Sequence, residues 1–181
     1  MGERMTLTDV TNVFAPDLSP AEFRQYKVIC AALWCFYNEG NVHYSNGRGR
    51  QQSEQLRHPP PAIPTELDCT SFIHWCFAVA GCKDPSGTGN YMGNTATLWG
   101  KGRFIGGPDV KVRSLLPGDI CFYSFARQGS GMVGGNGEHA ALHISKGDCM
   151  SHGSEHGPRK TYYNSTEDNS KPFFGVRRYE F

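Results

Sequence analysis

The chain has 181 residues, 18 basic against 17 acidic side chains and a formal net charge of +1. It is long enough to bury a core as one domain without metal or disulfide, and it carries no charge field that would suit nucleic acid or an anionic membrane. No segment approaches the ~18 apolar residues of a membrane span, and the polar stretch through Asp17 holds no signal-peptide core, so the expectation is a monomer made soluble in the cytoplasm.

Residues 1–18 read as an N-terminal arm, with Met1 to Arg4 ahead of a second methionine as an added leader. Seven cysteines, Cys30, Cys35, Cys69, Cys76, Cys82, Cys121 and Cys149, are odd in number and spread over apolar segments, which indicates reduced core residues. Ser19-Pro20-Ala21-Glu22 is a capping box with proline at the first helical position, and Phe23, Tyr26, Ile29, Cys30, Leu33 and Phe36 recur at helical spacing. That predicts a helix from Pro20 to Asn38, stopped by Gly40. A polar run from Arg48 to His58, closed by Pro59-Pro60-Pro61 and Pro64, predicts a long surface loop.

Leu67-Asp68-Cys69-Thr70-Ser71-Phe72 follows. Asp68 is a good N-cap, and Phe72, Ile73, Cys76, Phe77, Val79 and Ala80 supply the buried face of a short helix ending at Gly81. Cys69 is then the first helical residue, where free N–H groups favour an anion and draw the thiol below its ordinary pKa of roughly 8.5. Either it is a nucleophile or it is one more buried thiol. Cys76 is read as core, His74 and His58 as surface or loop residues.

Residues 83–117 are rich in Gly, Asn and Thr. They predict an ordered insertion with at most one short helix, Thr95 to Trp99, in which Tyr91, Trp99 and Phe104 either pack the loop down or line a groove. Leu116-Pro117-Gly118-Asp119 turns into a strand, Ile120 to Phe125, and residues 129–137 read as a mobile glycine-rich loop. Further strands are expected at Glu138 to Ser145, Cys149 to Gly153, around Lys160 to Tyr163, and at Phe173 to Tyr179, with Arg177-Arg178 as a solvated edge. Two helices followed by an antiparallel meander make an α+β fold with segregated helices.

A cysteine nucleophile needs a base, and the base needs a group to hold its tautomer. Lys146-Gly147 is a tight-turn signal. If it closes a two-residue loop, Ser145 faces Asp148, Ala141 faces His152, and His139 and His152 become diagonal neighbours on one face, roughly 7–8 Å apart at the backbone. His143 lies about 13 Å from His139 along the strand, too far to serve the same thiolate. His139, His143, Cys149, His152 and His156 also invite a zinc reading; the strand parity spreads them apart and no Cys-x-x-Cys pair exists, so no metal site is expected.

Asp68-Cys69-Thr70-Ser71-Phe72, Leu116-Pro117-Gly118-Asp119-Ile120-Cys121-Phe122 and His139-Ala140-Ala141-Leu142-His143-Ile144, in that order, resemble the NlpC (p-sixty) family of cell-wall cysteine peptidases. Ser151-His152-Gly153-Ser154-Glu155-His156-Gly157-Pro158 is similar to the same region of bacteriophage lysins. The resemblance spans Tyr44 to Arg178 and implies a papain-like fold, with 19–181 as a single catalytic domain and no cofactor. It implies Cys69 as nucleophile, His139 as general base and then acid, and His152 as the residue orienting His139. Tyr44 matches a family tyrosine near the substrate amine and oxyanion, although the usual glycine pair after it is absent and residues 48–64 intervene. Asp68 would cap the helix and meet a substrate ammonium group. Ser71 stands beside the nucleophile where the family has glycine, and so at the substrate. The implied partner is bacterial peptidoglycan, cut at the cell wall between D-glutamate and a diamino acid of the stem peptide. The alternatives are an amidase cutting the muramyl-to-alanine bond, a delivered toxin-type wall hydrolase, and, from another class, a non-catalytic wall-binding or phage structural module.

Overall fold

The computed structural model describes residues 17–45, 65–123, 127–128, 131–132, 139–153, 158–165 and 172–181. The capping box at Ser19 forms as the spacing predicts: Glu22 N donates to the Ser19 hydroxyl and Ser19 N to the Glu22 carboxylate, opening helix α1, Pro20–Tyr37. Asn38 caps its end, and a single 3-10 turn, Glu39–Asn41, follows. Strand β1 (His43–Tyr44) then runs parallel to β2 (Glu66–Leu67), which delivers the chain into α2, Cys69–Val79.

Helix α2 is the centre of the molecule. Every residue of it except Ala78 is buried, because α1 covers one side, with Trp34 and Trp75 rings 5.7 Å apart, and the main sheet covers another. A helix closed in all round has no solvent face, and His74 is accordingly fully buried, its Nε2 3.6 Å from Asp84 Oδ1, rather than a surface residue. Phe72, Ile73, Trp75 and Phe77 are all fully enclosed, each worth roughly 1.5–3 kcal/mol over leaving it in water.

Helix α3 occupies Thr95–Trp99, as its Asn94 cap and apolar spacing suggest. The rest of the insertion contributes a strand that local pattern does not show, β3 (Arg103–Gly106). Strands β4 (Ile120–Tyr123), β7 (His139–Ser145), β8 (Asp148–Ser151), β9 (Arg159–Tyr162) and β10 (Phe173–Arg178) complete a six-stranded antiparallel sheet in the order β3-β10-β4-β7-β8-β9. A small hairpin, β5 (Arg127–Gln128) with β6 (Gly131–Met132), stands apart from it. The sheet is thus a meander only from β4 to β9. The last strand returns to the interior, between β3 and β4.

That return corrects the solvated-edge assignment of Arg177 and Arg178. Arg178 grips the buried Asp119 with two 2.7 Å hydrogen bonds, and Leu116 N donates to the same carboxylate. Arg177 lies 4.5 Å above the Trp99 ring. Asp119→Ala should therefore lower unfolding free energy by ~3 kcal/mol in a urea titration, since it strands a guanidinium and an amide at once.

Period-two alternation separates the sheet's faces. Ile120, Phe122, Ala140, Leu142 and Met150 join the helices in the main core. Cys121, Tyr123, Ala141, Cys149 and Val176 pack with Leu115 and Tyr163 on the far side. All seven cysteines are buried and unbridged.

Candidate active site

Asp68 is extended (φ −101°, ψ −177°) and caps α2, its Oδ1 accepting from Thr70 N, Thr70 Oγ1, Ser71 N and Ser71 Oγ. The Ser71 hydroxyl also receives the Asp68 N–H at 2.7 Å, so both side chains proposed for substrate are engaged in the capping box. Cys69 is the first residue of the helix and 8 % exposed. The helix start and its positive end therefore lie where the sequence puts them.

Pairing of β1 with β2 sets Tyr44 opposite Leu67, and Ser45 N donates to Leu67 O. Tyr44 is held beside the strand that leads into Asp68 and Cys69. Its ring lies 5.7 Å from that of His152. His152 is fully buried, and its Nε2 is 3.3 Å from Val42 O. A carbonyl only accepts, so Nε2 carries the proton. Burial depresses the His152 pKa to about 4; the Val42 carbonyl and the Asp68 charge pull upward, and His43 pushes down. The ring is neutral near pH 7, and Nδ1 is a buried lone pair with no partner among the described residues.

His139 opens β7, paired with Tyr123, whose ring is 5.7 Å away. The β7–β8 turn forms at Lys146-Gly147, both at positive φ (50° and 91°), with Ser145 opposite Asp148. A bulge between His143 and Ser145 then shifts the register, pairing His143 with Cys149 and Leu142 with Met150. Continued down the strands, this sets Ala140, not Ala141, level with His152, and His139 level with Gly153. The shared-face geometry expected for the two histidines is therefore wrong by one residue: His139 goes with Tyr123, and His152 with Met150 on the helix side. Gly153, next to His152 in the chain and beyond the end of β8, lies against the His139 ring. A Cβ on Gly153 would stand 3.0 Å from His139 Cε1, so glycine makes the room in which that ring sits. Gly153→Ala meets no backbone penalty and should displace the His139 ring with an unchanged melting temperature; the ring signals of His139 in NMR beside a thermal melt would show it.

His143 stands apart from this group. Nδ1 donates to Leu116 O at 2.8 Å, and Nε2 accepts from Gly147 N at 3.1 Å, so the ring ties the hairpin turn to the turn before β4. Trp99 packs on Phe122 and Phe174, and the Tyr91 hydroxyl donates to Cys82 O, so these aromatics mainly pack the insertion down, with Phe104 half exposed. His58, His156 and nearly all of the 129–137 loop lie outside the described residues. Two participants were missed in the sequence: the Val42 carbonyl, which leaves no side-chain signal, and Gly153, whose place beside His139 depends on the bulge. Among the described residues no three His, Cys, Asp or Glu side chains converge as metal ligands.

No protein-family model and no curated protein matches the chain. Solved structures similar to it include the following two. One is a crystal structure of an NlpC/P60 family protein from Bacillus cereus ATCC 10987, 22% identical, covering 64% of this chain and 32% of that one, with a TM-score of 0.45. The other is NlpC1 from Trichomonas vaginalis, 13% identical, covering 76% of this chain and 46% of that one, also with a TM-score of 0.45. The chain thus spans less than half the length of either structure.

Proposed function

We propose that the protein is a cysteine peptidase of peptidoglycan, with Cys69 as nucleophile, His139 as general base and acid, and His152 as the group that holds His139. The observation that carries this reading is the state of His152. It is a neutral imidazole, fixed by Val42 O to present a bare Nδ1, in the immediate surroundings of Tyr44, Asp68 and the ring-bearing neighbour of Gly153. A buried acceptor of this kind suits an N–H donor, and we assign that donor to the His139 imidazole in the reacting complex, since in the structure itself Nδ1 has no partner among the described residues.

The chemistry then runs in two halves. His139 takes the proton of the Cys69 thiol, and the thiolate attacks a peptide carbonyl while the backbone N–H of Cys69, at the positive end of α2, receives the developing oxyanion. The tetrahedral adduct collapses, the C–N bond breaks, and His139 hands its proton to the leaving amine. Water, deprotonated by His139, then splits the thioester and restores the thiol. Tyr44 borders this point from β1. Asp68 and Ser71 serve the reaction by fixing the helix end rather than by contact with substrate.

The motif resemblance makes the substrate a stem peptide cut between D-glutamate and a diamino acid, in the manner of a phage endolysin's catalytic domain. Purified walls digested with the protein and labelled at their new amino termini should yield a labelled diamino acid. Labelled alanine would instead assign the amidase reaction, and sedimentation with walls without any new terminus would assign a binding module.

A further inference from the structure

The other end of α2 borders a cleft of about 550 Å³, formed by Phe77, the Lys83–Gly87 loop, the Lys101–Arg103 turn and the chain leaving β10. Phe77 lies eight residues beyond Cys69, ~12 Å along the helix axis, so this cleft is separate from the candidate active site. Its rim is cationic. Lys83, Lys101 and Arg103 are exposed and pair with no acidic side chain among the described residues. Arg178, a fourth cation, is occupied by Asp119.

Two carboxylates, Asp84 and Glu180, also line the cleft and offset part of that field, leaving the three cations in excess. Asp84 is turned into its own loop, accepting from the Ser86, Asn90 and Tyr91 amides and from the Ser86 and Thr88 hydroxyls. Glu180 is the second carboxylate of the lining, and among the described residues it makes no ion pair with Lys83, Lys101 or Arg103. The Lys101 stem crosses Gly87, where a Cβ would stand 3.0 Å from Lys101 Cε, and this holds the ammonium over the lip of the cleft. Phe77, Tyr179 and Pro85 give it an apolar floor.

A space of this size exceeds a lone phosphate ion and suits a sugar- or polyol-sized unit. The three cations stand on two separate segments rather than as one planar fork, which matches a tetrahedral phosphodiester better than a single carboxylate. We propose that the cleft binds the phosphodiester-linked polyol or sugar units of an anionic polymer attached to peptidoglycan, and so holds the enzyme on its substrate. This assignment of a partner rests on the peptidase reading above.

The test uses the full chain carrying Cys69→Ala, so that binding is read without hydrolysis. Glycerol 3-phosphate should shift the amide signals of residues 83–87 and 101–103 in NMR titration, and added salt should weaken the effect. Sedimentation with intact walls should fall about tenfold in Lys101→Glu/Arg103→Glu and less in Lys101→Gln/Arg103→Gln. Walls stripped of phosphodiester polymer by hydrofluoric acid should bind the parent as weakly as the variants. Equal binding to stripped and intact walls, or unchanged binding by a folded charge-reversal variant, overturns the proposal; so does a glycerol 3-phosphate response without any preference for intact walls. Cleavage of a soluble stem peptide by the same substitutions in the Cys69 background should be unchanged. Loss of the peptidase reading would show there, whereas failure of the cleft would show only in wall binding.

Discussion

Cys69→Ala is expected to abolish wall clearing, lowering turnover at least about 10³-fold, while sedimentation with walls and the melting temperature stay as in the parent. The thiol is small and only 8 % exposed, so alanine takes away little packing. The capping box built by Asp68 and Ser71 does not involve the Cys69 side chain. Cys69→Ser should be nearly as inactive: serine keeps the size and a hydroxyl donor but not the acidity that lets a helix N-terminus favour the anion. A turbidity assay on purified walls, with circular dichroism alongside, separates this chemical loss from unfolding.

The second large effect falls on His152. His152→Ala should lower turnover about 10²-fold or more with a smaller change in KM, because the base loses the acceptor that sets its tautomer. His152→Gln can present an amide N–H to Val42 and a carbonyl towards His139, and should recover most of that loss. Recovery by glutamine but not by alanine is the outcome a merely space-filling role would not give. The linked pH behaviour has a definite sign. The folded pKa of about 4 lies below the unfolded value of about 6.5, so the unfolded chain binds the extra proton between them. Stability is therefore complete above about pH 6.5 and declines as pH falls toward 4, by up to about 3 kcal/mol from this group. His152→Gln should flatten that decline in urea titrations run at successive pH values.

How much of this was open to sequence reading depended on whether the deciding contact was local. Ser19 with Glu22 and Asp68 with Ser71 each close within three residues, so the first two of the described helices and the position of Cys69 were legible from caps and spacing. The Lys146-Gly147 turn was local too. The bulge one residue before it was not: the shift between His143 and Ser145 accompanies a ring that reaches back to Leu116, 27 residues away. That single irregularity moved His139 and His152 onto different faces and gave Gly153 its part.

Sheet order failed for the same physical reason. Whether Phe173–Arg178 lies at an edge or in the interior is decided by Asp119 reaching Arg178 across 59 residues and by β3 pairing from within the insertion. Neither leaves a periodic mark. His74 was misplaced because polarity suggests a surface, whereas a helix covered on every side buries whatever it carries and here meets Asp84. The helix start that carries Cys69 was thus legible in the sequence, and the relative placement of His139 and His152 was not.

Mass spectrometry of muropeptides from purified walls, digested in parallel by the parent and by Cys69→Ala, tests the central assignment most directly. Stem peptides split before the diamino acid should accumulate with the parent and be absent with the variant. The same fragments from the variant, or intact stem peptides from the parent, would contradict it.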